Sequence, residues 1–211
     1  MAYDSTEQEQ VDALKRFWDE NGKQLIAGVV IGLVAFFSYQ TWDGNRVANA
    51  EAASMEYMQL VDSLMSDQAT VAAEHGNRII GSFADTAYAP LAALTMARIK
   101  LDAGDAVTAR AHLNWAIEHS DSTEIKSVAQ IRLAAVLLSE GLADQALSSL
   151  EKVKGEQFAS LRDETLGDVY VSQQDLDKAQ QAYRDALAEI GQEGGQRTTL
   201  LQMKLDDIAG L

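Results

Sequence analysis

Residues 166–186 read Leu166-Gly167-Asp168-Val169-Tyr170-Val171-Ser172-Gln173-Gln174-Asp175-Leu176-Asp177-Lys178-Ala179-Gln180-Gln181-Ala182-Tyr183-Arg184-Asp185-Ala186. Small residues stand at Gly167 and Ala179, 12 apart, with the turn-forming pair Gln174-Asp175 between them. The arrangement recurs upstream, where Ala97 and Ala109 flank Gly104-Asp105, and Ala134 and Ala146 flank a turn running from Gly141 to Asp144. Units spaced 37 and then 33 residues apart are the mark of stacked helical hairpins. A small residue where two antiparallel helices cross lets the backbones approach, and a larger one would push them apart.

Composition agrees with an all-α fold. Hydrophobic residues make up 47% of the 211 positions, with a single proline, and the abundant Ala, Leu, Gln and Glu lose little rotamer freedom in a helix. The third unit, through Leu166, Gly167, Tyr170, Ala179, Tyr183 and Ala186, resembles a tetratricopeptide repeat. The first two units match that pattern less closely, with Lys100 where an aromatic is usual and Leu137 and Val153 where Tyr and Ala are expected. Hairpins are expected over about 48–81, 90–119, 127–154 and 160–189. After a Gly-rich break from Gly191 to Gln196, a last helix over 198–209 with Leu201, Leu205 and Ile208 on one face should cap the α-solenoid,.

Toward the N-terminus the pattern changes. Residues 24–42 contain no formal charge and include the run Leu25-Ile26-Ala27-Gly28-Val29-Val30-Ile31-Gly32-Leu33-Val34-Ala35-Phe36-Phe37. At ~1.5 Å per residue this stretch covers about 28 Å, enough for the hydrocarbon core of a bilayer. A buried helix of a soluble protein would seldom be apolar on every face. Lys23 and, at the other end, Tyr39 and Trp42 are suitable interfacial flanks,. Lys15, Arg16 and Lys23 precede the span, whereas Arg46 alone follows it before Arg78, so the N-terminus is expected in the cytoplasm. A cleaved signal peptide, suggested by Ala48-Asn49-Ala50, fits less well because the preceding arm is long and acidic,. Gly28 and Gly32, with Ala35 near the same face, form a candidate helix-packing surface,.

The organisation expected is therefore a cytoplasmic arm (1–23), a transmembrane helix (24–42) and a repeat domain (43–211). In the arm, Thr6 and Glu9 have the form of a capping box. Val11, Leu14, Phe17 and Trp18 then recur at helical spacing until Asn21-Gly22, which predicts a short amphipathic helix over about 7–20. Its apolar stripe needs a membrane surface or a partner.

The chain carries a net charge of -15, of which -12 falls from Asp43 onward, so phosphate backbones are repelled and nucleic acid is not expected as a partner. With no cysteine there is no disulfide, thiolate zinc site or thiol nucleophile. Phosphate-loop, nucleophile-elbow, metalloprotease and dinucleotide motifs are missing,. His112 and His119 are seven apart, too far along a helix to share a metal. Trp115 reads as packing, and no metal, cofactor or catalytic residue is nominated.

Binding is then the expected function. By analogy with other solenoids, the first helix of each unit lines a concave groove, here with Leu94, Arg98 and Leu101, then Ile131, Ala135 and Leu138, then Glu164, Asp168 and Val171. Arg98, Leu101, Glu164 and Asp168 are the candidate protein-binding residues; the charged ones cannot be buried unpaired at small cost.

The whole chain resembles the YfgM family of Gram-negative bacteria. The block Glu9-Gln10-Val11-Asp12-Ala13-Leu14-Lys15-Arg16-Phe17-Trp18, followed by Glu20-Asn21-Gly22-Lys23, carries the resemblance. So do Ile131-Arg132-Leu133-Ala134, Lys154-Gly155-Glu156 and Met203-Lys204-Leu205-Asp206. The resemblance implies a single-pass protein of the inner membrane with a periplasmic repeat domain. It also implies association with the SecYEG translocon and with a membrane-anchored periplasmic chaperone of the PpiD type. The expected role is a non-enzymatic accessory of protein export. The alternatives are a scaffold regulating an envelope stress pathway and a holdase that binds unfolded clients itself.

Overall fold

A computed structural model describes residues 4–190 and 194–209, with side chains for 11–40, 44–190 and 194–209. Among the described residues the regular elements are all helical: α1 (Asp4–Met65), α2 (Ala69–Ser82), α3 (Tyr88–Asp102), α4 (Ala106–His119), α5 (Thr123–Ser139), α6 (Ala143–Leu150), a 3-10 turn (Glu156–Phe158), α7 (Ala159–Ser172), α8 (Leu176–Ile190) and α9 (Gln196–Ala209). The chain divides into two compact units, Met1–Ala48 and Asn49–Leu211. The side chains of Thr6 and Glu9, where a capping box is expected, and of Trp42 lie outside the described side chains, and Gly191, the start of the break, lies outside the described residues.

In the second unit one turn geometry repeats. Asp67, Gly104, Gly141 and Gln174 have φ of 57°, 78°, 77° and 62°. The amide after each donates to the carbonyl five residues back, Gln68 to Ser63, Asp105 to Lys100, Leu142 to Leu137 and Asp175 to Tyr170, at 2.8–3.0 Å. A left-handed residue closed by this bond satisfies the end of one helix and reverses the chain into the next. Two of these turns start the second helix with an aspartate cap: Asp105 accepts the Thr108 amide at 3.0 Å and Asp175 the Lys178 amide at 3.3 Å.

Counting from the left-handed residues extends the register to a fourth hairpin. Seven positions earlier stand Leu60, Ala97, Ala134 and Gly167, and five later Ala72, Ala109, Ala146 and Ala179, all buried. Four residues beyond those are Gly76, Leu113, Leu150 and Tyr183, and the two sets are complementary in size. A Cβ at Gly167 would run into the Tyr183 ring, and one at Gly76 would lie 3.4 Å from Leu60 Cδ1. Ala97 with Leu113 and Ala134 with Leu150 belong to one core cluster. The first hairpin has thus exchanged the sizes, with the large side chain on its first helix. A search for a small residue at the first-helix position passes over it.

In the first unit the expectation that Asn21-Gly22 ends a short helix is corrected, because α1 runs through both residues. Asn21 Nδ2 donates to the Phe17 carbonyl at 3.2 Å, an i−4 bond that keeps it within the helix. Gly22 is buried under Trp18, whose ring atoms lie 3.3 Å from where its Cβ would be. The glycine here is a seat for an indole one turn earlier and not a stop. Val11, Leu14, Phe17 and Trp18 remain half or more exposed.

Candidate functional site

The candidate groove residues separate into three environments. Leu94 and Ile131 are buried, and both belong to the central core cluster. Leu138 and Val171 are half-buried, and Ala135 is exposed. Arg98 and Leu101 of α3 are solvent-exposed, and Arg98 makes a loose i,i+4 pair with Asp102 at 3.7 Å. Beside Arg98 lies Arg132 of α5, which the sequence reading left out of the site. Partial desolvation first, and the like charge of Arg98 second, hold its guanidinium below the ordinary arginine value,. The sequence signal was present in Ile131-Arg132-Leu133, a charge between two core residues.

Glu164 and Asp168 are in a different situation. Lys204 of α9 places its Nζ 3.2 Å from Glu164 Oε1 and 2.7 and 2.9 Å from the two Asp168 oxygens. Arg197, also of α9, donates to Glu164 Oε2 at 2.9 Å and to Ser160 Oγ at 3.3 Å. Asp168 further accepts the Tyr183 hydroxyl at 2.7 Å, and the Lys204 ammonium stands 5.5 Å from that ring's centroid, within cation–π range. Burial would raise the Glu164 carboxyl, but the bonds from Arg197 and Lys204 outweigh it and hold the group below 4.5. Burial, with the Asp168 bond and charge, raises the Tyr183 hydroxyl above its ordinary 10.0. The structure therefore gathers Glu164 and Asp168 into a network that docks α9, while Arg98 and Leu101 stand apart on α3.

Gly28 and Gly32 present an open face on α1: beyond the helix's own backbone and the adjacent residues, no atom among the described residues lies within 4 Å of where a Cβ on either would be. The apolar side chains around them are exposed, Phe36 at 61% and Ile31 at 69%. α1 contains a window of mean hydropathy 1.7 that is long and apolar enough to cross a membrane. The sequence reading also missed Met58, Val61 and Met65, an exposed apolar strip on α1. Their spacing of three and four, one helix face, was readable from the sequence. His119 stacks on Trp115 with ring centroids 4.1 Å apart and planes within 5°, which explains that pair as local packing.

Comparison with known proteins bears on both units. The family described as a tetratricopeptide repeat-like domain matches residues 15–210. The chain is 31% identical over 209 residues to the ancillary SecYEG translocon subunit of Haemophilus influenzae, covering 99% of this chain and 100% of that one. It is 30% identical over 210 residues to the protein of the same name from Neisseria gonorrhoeae, covering 99% and 100%. With the Escherichia coli protein of that name it shares 30% identity over 184 residues, 84% of this chain and 85% of the relative.

Proposed function

The chain belongs to the family of the ancillary SecYEG translocon subunits, built on a tetratricopeptide repeat-like domain, and from that premise we propose that it is itself a non-enzymatic accessory of protein export. The observation that carries this reading is the extent of the likeness, which takes in the apolar helix and the repeats together. In this proposal residues 24–42 span the inner membrane, the arm bearing Lys15, Arg16 and Lys23 is cytoplasmic, and the repeat domain is periplasmic,. The open face of Gly28, Gly32 and Ala35 meets a membrane helix of the translocon, since small residues allow close backbone approach. The exposed first-helix residues Arg98, Leu101 and Arg132 recruit a membrane-anchored periplasmic chaperone of the PpiD type.

Two experiments test the parts. Protease added to spheroplasts should digest residues 43–211 and spare a fragment of roughly forty residues; protection of the whole domain until lysis would overturn the orientation. A photo-crosslinker on the Gly28 face should give adducts with a translocon subunit, and adducts with lipid alone would overturn the docking. Client binding by the domain itself is a second reading, favoured by the strip of Met58, Val61 and Met65, because flexible thioethers adapt to varied apolar surfaces. Suppression of aggregation by residues 48–211, lost on changing Met58 and Met65 to Ser, would support it.

A further inference from the structure

α5 packs against both α4 and α6, yet α6 has only 8 residues where α4 has 14. Both helices flank α5 around Gln130, Leu133 and Leu137. A cavity of about 670 Å3 opens there, floored by Leu133 and Leu137 and walled by α4 and α6, a size ordinary for ligand clefts. A second cavity of about 500 Å3 adjoins it, and Gln130 and Lys152 line both. Together they make one groove along α5, between α4 and α6 in the first cavity and beside residues 151–154 in the second.

Gln130 sits at the junction. It is only 7% exposed, and its Oε1 is buried with no hydrogen-bond partner among the described residues. A buried acceptor left without a donor destabilises a fold, which makes such an atom worth explaining. The hydroxyls near it are already committed. Ser149 Oγ donates to the Gln130 carbonyl at 2.9 Å, and Ser127 Oγ donates to the Lys154 carbonyl at 2.8 Å. No donor among the described residues reaches the amide oxygen.

The groove's charge indicates what kind of molecule would supply one. In a chain of net charge -15, the second cavity carries Lys126, Lys152 and Lys154 against Glu151 alone. The first cavity adds Arg110, which is held by Glu140 at 3.0 Å, and one carboxylate, Glu118, so the lysines outnumber the acids along the groove. We propose that this groove binds an extended acidic peptide segment of a partner protein. The Gln130 amide pairs with the peptide backbone, accepting its N–H and donating to its carbonyl. The three lysines receive its carboxylates, and Leu133 and Leu137 carry its apolar side chains. The proposal rests on reading the repeats as a scaffold for other proteins, and not on which assembly recruits the chain.

The full chain in nanodiscs, titrated by fluorescence anisotropy with a labelled octapeptide of alternating Glu and Ala, tests it. The acidic octapeptide should bind, and its Lys counterpart should bind roughly tenfold or more weakly. Methylating the backbone nitrogens of the acidic octapeptide should weaken it similarly, because the donor to Oε1 is lost. Gln130→Met, close in shape, should lose binding while melting at or above the wild-type temperature. A purely structural glutamine would do the opposite on both counts. Lys126→Glu with Lys154→Glu should reverse the preference between the two peptides and keeps the question decidable if Gln130→Met fails to fold. Absence of acidic-peptide binding, equal binding of the two octapeptides, or wild-type affinity in a folded Gln130→Met, with water alone satisfying the amide, would overturn the proposal. Translocon co-purification is read separately, so failure of the accessory role and failure of this groove are distinguishable.

Discussion

Gly167→Ala is the mildest substitution that probes the closest helix crossing of the third hairpin. In an unconstrained helix interior, replacing Gly by Ala stabilises by about 1 kcal/mol. At Gly167 the added methyl enters the space of the Tyr183 ring, a six-membered plane with no flexible end to retract. Overpacking of this kind costs roughly 1–3 kcal/mol. Displacing the ring also strains the Tyr183 hydroxyl bond to Asp168, 2.7 Å long, and a bond to a charged acceptor contributes roughly 1.5–3 kcal/mol. Allowing for the helix gain, the net destabilisation is roughly 2–4 kcal/mol. For a domain of this size each kcal/mol lowers Tm by roughly 2–4 °C, so thermal circular dichroism on residues 48–211 should show a fall of about 5–15 °C. Gly81→Ala is the control, since nothing lies within 4 Å of its Cβ, and its melting temperature should stay level or rise. Gly76→Ala should fall between the two, because the atoms it meets first are the Met96 thioether, which can rotate away. An unchanged or raised Tm for Gly167→Ala would refute both the ring contact and the register built on it.

Glu164 is held below 4.5 in the folded chain, so its contribution is present above about pH 4.5 and is lost as pH falls through the folded value; the hydrogen-exchange protection factors of α9 amides, which remove the intrinsic pH dependence of exchange, should fall in acid, and should be low and far less pH-dependent in Glu164→Gln. Tyr183 is raised above 10.0, so its contribution is complete below about pH 10 and lost as pH climbs beyond it; Tyr183→Phe should remove that alkaline limb from the stability profile measured by urea unfolding. Gln174 holds φ 62°, a conformation that strains a side chain by about 1 kcal/mol, and Gln174→Gly should raise the urea midpoint. Gly28→Leu with Gly32→Leu should leave the melting curve of the repeat domain intact and reduce only association within the membrane, read by crosslinking in native vesicles.

The all-helical class was legible because it rests on local chemistry. The 12-residue offset between small residues, the turn residues midway and the uncharged run of residues 24–42 all act through neighbours close in sequence. What escaped depended on distance or on substitution in pairs. Leu60 and Gly76 exchange the sizes that Gly167 and Tyr183 display, and only the shared turn geometry reveals them as equivalents. Gly22 looked like a stop because a glycine is usually one; its use as a seat for Trp18 needs the rotamer of a residue one turn away. For the site, burial of unpaired charge drew attention to Glu164 and Asp168, and the physical premise holds. The cations that answer them, Arg197 and Lys204, lie 33 to 40 residues downstream, beyond any pattern visible in one sequence. Arg98 pairs only loosely, with Asp102 one turn away among the described residues, and it stays exposed.

Purification of the native complex from mildly solubilised inner membranes, through a tag on the C-terminus, tests the central claim most directly. The account predicts that SecYEG subunits come with the wild-type chain in near-constant proportion, that a membrane-anchored periplasmic chaperone accompanies them, and that the chaperone is lost first when Arg98 and Arg132 are changed to Glu. Recovery of the chain with neither translocon subunits nor an anchored chaperone would contradict it.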